Sequence, residues 1–353
     1  FRTYSAVSDD RESSLETRSI LHLTEGLGDD ANYVSVPSFT GMVNLDDLLE
    51  IAWSRPHPVD NSILLPAAMC LAASRRGDRV LLHGASGDAA MDSPLYYLRY
   101  VYEDDGLAAV WRECRLAAKN HTYLHGHSPV SILLHNLYRW WLPVGARTFV
   151  SRFKQGFSTN ATARSPINVE FAHRLNIERR MDAARLRARR AEARGPVADH
   201  LHALQPIGIV RGLEGFERVA GRYGIELRDP WSDVRVLRFF AALPVRYKIR
   251  AGWTKALARY AFESDCSEAV VRRHDKEHLG WHFNAAAWNR VQAFDARNNA
   301  PGHTFSDGGR LRRYLKTAKG ESAFSVTDPL QRVIEAWLQR IERLSTRAIA
   351  TGG

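Results

Sequence analysis

Cysteine is scarce in this chain. Cys70, Cys114 and Cys266 are scattered, with no Cys-x-x-Cys spacing. Neither a disulfide framework nor a structural zinc site is suggested, and a reducing cytosol fits best. Long apolar runs are also missing: nothing reaches the roughly 18 consecutive apolar residues that a membrane-spanning helix needs. There is no Walker A loop, no G-x-S-x-G elbow and no His-Glu-x-x-His. Zinc-finger spacing, RNA-recognition signatures and internal repeats are absent too, so nucleic acid is not the expected partner. Acid is short relative to base, 39 Asp and Glu against 49 Lys and Arg, for a formal charge of +10. That balance favours an anionic ligand or partner such as a nucleotide or an acidic peptide. The chain opens on Phe1 with no signal-peptide pattern, and Phe-Arg-Thr-Tyr-Ser-Ala-Val reads as cut from something longer.

What is present is the composition of a globular protein. With 45% hydrophobic and 25% charged residues, 353 residues can bury one large core or two smaller ones. Strands are expected at Tyr4–Ser8, Tyr33–Val36 and Arg79–His83, the last continuous and apolar like a buried parallel strand. Helices alternate with them: Arg11–His22 with Asp10 as N-cap, Leu45–Trp53 with Asn44 as N-cap, and Ile63–Arg76 ended by Gly77. The alternation predicts an α/β unit with a parallel sheet over residues 1–94. Beyond Pro94 the pattern becomes mostly helical, and residues 95–353 form the second portion of the chain. Helices are expected at Leu213–Tyr223, stopped by Gly224, then Asp233–Leu243, Thr254–Ser264 and Pro329–Arg347. The stretch Ala172–Arg194 holds eight arginines. The favoured reading is a solvated helix whose Glu178, Asp182 and Glu192 pair with them at helical spacing; a patch for an anionic partner is the alternative.

Three segments carry chemistry. Arg79-Val80-Leu81-Leu82-His83-Gly84-Ala85-Ser86-Gly87-Asp88 is a strand running into a glycine-containing turn with an acid at its mouth. Ligands bind α/β sheets at the carboxyl ends of strands. Glycines such as Gly84 and Gly87 let backbone amides approach phosphate oxygens. A carboxylate such as Asp88 can hold Mg²⁺. The second segment is Gly224-Ile225-Glu226-Leu227-Arg228-Asp229-Pro230-Trp231-Ser232-Asp233, where Asp233 is expected to cap the next helix. The third is basic: Lys248-Ile249-Arg250, Gly252-Trp253-Thr254-Lys255 and Arg272-Arg273-His274-Asp275-Lys276. His121, His125 and His127 also cluster, but no Glu or Cys pattern accompanies them, so no metal site is expected there.

These segments together resemble the synthetase domain of the asparagine synthetase family. The family reads roughly V-L-L-S-G-x-G-x-D-E, G-[IV]-E-x-R-x-P-F-L-D, L-P, K-x-[KR]-x-G-x-x-K and R-x-K. His83 stands for the usual Ser, Ala89 for the acid after Asp88, and Ala85-Ser86-Gly87 shifts the second glycine. The resemblance implies a PP-loop-type nucleotide sheet and use of ATP with Mg²⁺. Aspartate would be activated as an acyl-adenylate and attacked by ammonia drawn from glutamine. It implies catalytic roles for Glu226, near the reacting carbonyl, and for Lys276, on the phosphates and the acyl-adenylate. It also implies cofactor contacts at Gly84, Gly87 and Asp88, a phosphate-facing or structural lysine at Lys255, and metal binding at Asp88. The S-G-G-x-D-S loop, its strand and an N-terminal glutaminase domain are expected in the parent protein, upstream of Phe1. Relatives that close lactam rings or cyclise peptides use the same adenylation, so a precursor peptide is an alternative substrate. A non-catalytic nucleotide-binding relative is a third reading.

Overall fold

A computed structural model describes residues 1–12, 14–42, 63–92, 94, 97–141, 168–205 and 207–274. Strand β1 (Thr3–Ala6) lies parallel to β2 (Ala31–Val34), with Thr3 opposite Ala31. Helix α1 (Leu15–Leu23) links them. Its cap is Ser14, whose Oγ accepts from the Thr17 amide at 3.1 Å, rather than the expected Asp10. Thr17 explains the choice. Its side chain is fully buried and its Oγ1 accepts from Ser8 N at 2.9 Å, tying the helix to the end of β1.

Helix α2 (Val36–Met42) and α3 (Leu64–Arg75) follow, the latter stopping short of Gly77, which takes the left-handed φ of +81° that ends a helix cheaply in glycine. Ala67, Ala68, Cys70 and Ala73 of α3 are essentially inaccessible to solvent. These small side chains let the helix press against β1 on one side and α10 (Ile207–Arg222) on another. The first core gathers Val34, Phe39, Ile63, Leu64, Val219, Ala220 and Ile225 around it. Burying a side chain such as Phe39 or Ile63 contributes about 1.5–3 kcal/mol.

Strand β3 (Val80–Leu82) pairs parallel with β4 (Glu226–Arg228), Leu81 opposite Leu227. The strand expected to be buried on both faces is covered on one only. Leu81 packs on the first core, while Val80 and Leu82 are 41% and 56% exposed. The alternation is the period of two of any strand with a single covered face. Short parallel strand pairs among many helices are compatible with the α/β expectation.

The second core is helical. Helix α5 (Leu98–Asn120), kinked at Gly106, packs against α6 (Pro129–Trp141). Tyr97, Leu98, Val110, Cys114, Ala117 and Ile132 meet Val245 and Ile249 there. Burial pushes the Cys70 thiol up to about 12 and the Cys114 thiol to about 11, so both are inert. Between α4 (Gly87–Ala90) and α10, the chain also forms α7 (Val169–Arg174), α8 (Ile177–Arg194) and α9 (Pro196–Ala203). Helix α8 carries the basic run, has no buried residue, and pairs Arg185 with Asp182 at 3.4 Å. After β4 come α11 (Val234–Ala242) and α12 (Val245–Lys248). Asp233 caps α11 as expected, its Oδ1 accepting from Arg235 N at 2.8 Å.

Strands β5 (Ile249–Arg250) and β6 (Trp253–Thr254) form an antiparallel hairpin, followed by α13 (Ala256–Ala261) and α14 (Glu268–Val271). The two turn residues, Ala251 and Gly252, both have positive φ, at 51° and 79°. That is the requirement of a type I′ turn. The turn is clamped to α5: Gly252 N donates to Glu113 Oε1 at 2.6 Å, and Asn120 Nδ2 donates to Ala251 O at 2.9 Å. The helices expected at Leu45–Trp53 and Pro329–Arg347 lie outside the described residues. No described helix is long and apolar enough to cross a membrane.

A Cβ on Gly252 would lie 2.5 Å from Leu116 O and 2.7 Å from Ala117 Cα, both backbone atoms. Gly252→Ala should therefore destabilise the protein by at least about 1–3 kcal/mol, read as a lower urea midpoint at unchanged slope. A loss under about 0.5 kcal/mol, the size of an ordinary surface substitution, would show that the turn is not clamped.

Candidate functional site

Strands β3 and β4 run in the same direction, so their carboxyl ends release two turns side by side. His83 N donates to Arg228 O at 3.0 Å, extending the pairing by one step. Asp229 then joins the two turns: Oδ2 accepts from Ser86 N at 2.9 Å and Oδ1 from Trp231 N at 3.1 Å. The Trp231 indole lies over both glycines of the β3 turn. A Cβ built on Gly84 or Gly87 would touch it at 3.6 or 3.5 Å, ordinary contact distances. These glycines thus give the indole a flat seat; neither has a positive φ that would demand glycine.

Beyond the turn, α4 presents Asp88 to Lys255, and their side chains form an ion pair. The pair sits on the wall of a cleft of about 560 Å³. Asp88 and Asp92 form its acidic side, and Lys255, Arg259, Arg273 and His274 its basic side. Trp231, Phe262, Met91 and Val271 supply apolar surface, and Tyr123, Thr122 and Thr254 add hydroxyl groups. Arg259 is a structural cation here. It donates to the carbonyls of Thr254, Val271 and Arg273 and stacks over the Trp253 ring at 4.8 Å. Burial and the neighbouring Arg272 and Arg273 push its ionisation down from the usual guanidinium range. With three of its five N–H donors on three carbonyls, Arg259 ties together the turn from which Arg273 and His274 project.

The expected site residues divide. Gly84, Gly87, Asp88 and Lys255 come together. Glu226 does not: it begins β4, level with Val80 at the amino end of the strand pair, and its Oε1 accepts from Arg228 Nε at 2.8 Å. It is not among the residues that line the cleft. Lys276 lies outside the described residues. Asp92 and Asp229 were not anticipated. The first had a signal, a second acid four residues after Asp88, although the helix ends at Ala90 and Asp92 lies just beyond it. The second had none, because its partner Ser86 is 143 residues away.

The three histidines serve local structure. His121 is buried, and its Nδ1 accepts from Tyr123 N at 3.1 Å. His125 Nδ1 bonds the Lys119 carbonyl at 2.7 Å, and its ring tilts against His274, which stacks on Trp253 at 4.5 Å. Among the described residues no group of three or more His, Cys, Asp or Glu is placed to hold a metal ion.

With this geometry in place, comparison with known proteins gives one result. A family model described as Asparagine synthase matches residues 1–339. No curated protein and no solved structure matches the chain.

Burial pushes the His121 imidazole down to about 4. The ring is neutral in the folded protein but charges near pH 6.5 in the unfolded chain, so below 6.5 the unfolded state binds more protons. Stability from this group is complete above pH 6.5 and falls as pH drops toward 4, by up to about 3 kcal/mol. His121→Asn keeps an acceptor for Tyr123 N and does not titrate. It should therefore lose less stability than wild type between pH 7 and 4.5 in urea unfolding. Parallel losses would show that another group is responsible.

Proposed function

The chain belongs to the asparagine synthase family of ATP-using, amide-forming ligases, and from that premise we propose that its cleft activates a carboxylate with ATP for attack by an amine. The carboxylate is that of aspartate, the activated species an acyl-adenylate, and the amine ammonia drawn from glutamine by a glutaminase domain of the parent protein. The nucleotide sits on a PP-loop-type sheet, and β3 and β4 offer it their carboxyl ends. The observation that carries this reading is the Asp88–Lys255 pair at those ends, in a cleft with a second acid, Asp92, and a second cation, Arg273.

The residues present suit Mg²⁺, which binds through one or two carboxylates together with substrate phosphates. Asp88 and Asp92 would hold it, and its charge would help neutralise the departing pyrophosphate. Asp88 is 58% exposed and its partner Lys255 is 37% exposed, so the pair is held apart from the cores and open to exchange. When Asp88 turns to a cation, Lys255 is free for a phosphate oxygen. Lys276 keeps the role that the family pattern gives it, opposite the charge on the acyl-adenylate. In support, Arg273 and His274 just before it line the cleft. Trp231 and Phe262 shield the reactive acyl group from water. Glu226, at the amino end of β4, pairs with Arg228, and the proposed chemistry asks no step of it.

ATP–pyrophosphate exchange in the full-length protein tests the reading. Exchange should require aspartate. Lys255→Met and Lys276→Ala should each lower it by about 10²-fold or more, the scale of removing one charge-stabilising group, with the circular dichroism spectrum unchanged. Exchange supported only by a peptide would move the substrate to an intramolecular amide former. Nucleotide binding with no exchange under any carboxylate would make the protein a non-catalytic binder.

A further inference from the structure

Helix α5 ends at Asn120, and the last four carbonyls of a helix find no donor within it. Here all four are met by residues that follow the helix. Ala117 O accepts from His121 N at 3.0 Å, and Ala118 O from Gly126 N at 2.9 Å. Imidazoles meet the other two. His125 Nδ1 lies 2.7 Å from Lys119 O, and His274 Nδ1 lies 3.3 Å from Asn120 O. A carbonyl can only accept, so each ring carries a proton on Nδ1. In the neutral form of each ring the lone pair is then on Nε2.

The two rings are neighbours, with centroids 5.3 Å apart, but of the two only His274 lines the cleft. It is half-buried and stacks on Trp253, centroids 4.5 Å apart and planes 30° from parallel. The indole sets the plane of the ring and Asn120 O sets its rotation. Among the described residues nothing bonds Nε2. Of the ionisable nitrogen groups that line the cleft, Lys255, Arg259 and Arg273 only donate protons, whereas the His274 ring can accept one.

Amide formation needs such an acceptor. When an amine attacks an acyl-adenylate, a C–N bond forms, the acyl C–O bond breaks and AMP leaves with the electron pair. The nitrogen must then give up a proton. We infer that His274 is the general base of this step: Nε2 takes the proton of the attacking amine while Nδ1–H stays on the Asn120 carbonyl. The imidazolium afterwards passes its proton to water, which restores the ring. The inference rests on the reading of this cleft as the ligase site.

The test measures the two half-reactions separately in the full-length protein, with whichever carboxylate supports exchange. Pyrophosphate exchange reports adenylation, and single-turnover conversion of the preformed adenylate reports amide formation. His274→Asn keeps an N–H for the Asn120 carbonyl and has no basic nitrogen. In it amide formation should fall about 10²-fold or more, the scale of losing a general base, and exchange by a much smaller factor. His125→Asn, which alters the neighbouring ring outside the cleft, should match wild type in both. In ¹⁵N-histidine NMR of the wild type, the neutral His274 ring should carry its proton on Nδ1. Equal losses in the two half-reactions, an equal loss in His125→Asn, or an Nε2–H ring would overturn the inference. A wild type that exchanges while His274→Asn forms amide at the wild-type rate removes the base and leaves the ligase reading standing. A wild type with no exchange under any carboxylate removes the ligase reading, and the base with it.

Discussion

Lys255 meets Asp88 across 167 residues of sequence, and the shape of the cleft follows from that meeting. An exposed ion pair of this kind contributes about 0–1 kcal/mol, too little to organise two distant segments by itself. The segments are organised by other means and the pair is the result. Lys255 holds a left-handed backbone, φ 56° and ψ 37°, which costs a residue with a Cβ about 1–2 kcal/mol. The preceding hairpin imposes it, and that hairpin is fixed on α5 through Glu113, Asn120 and the bare Cα of Gly252. On the other side, Asp88 rides on a single helical turn propped by Asp229 and Trp231. Backbone strain that the surroundings maintain without a matching gain in stability is a mark of functional sites.

The two walls of the cleft differ in construction. The basic wall is rigid: Arg259 uses its guanidinium on three carbonyls and the face of Trp253. The acidic side is carried by a short helix held by Asp229 and Trp231. A lining rich in cations suits an anionic ligand, as expected of an ATP-using ligase family.

The sequence was most legible where the determinants are local. Gly77 and Gly224 stop helices with positive φ, Asp233 caps α11, and the strand before Gly84 ends where the apolar run ends. It was least legible where a distant partner decides. Ser14 displaced Asp10 as the cap of α1 because Thr17 is buried and bonded to Ser8. Val80 and Leu82 read as core but face outward, since only one face of the β3–β4 pair is covered. Glu226 fits its motif in sequence, yet the parallel register puts it level with Val80, at the end of the strand away from the cleft. Asp229, four positions before the motif-matching Asp233, does the joining because it reaches Ser86.

The most direct test of the central claim is a crystal structure with Mg²⁺ and a non-hydrolysable ATP analogue. The expected result is a triphosphate in the cleft, with Asp88 turned to the metal and Lys255 moved from Asp88 to a phosphate oxygen. A nucleotide bound elsewhere, with the Asp88–Lys255 pair intact, would contradict it.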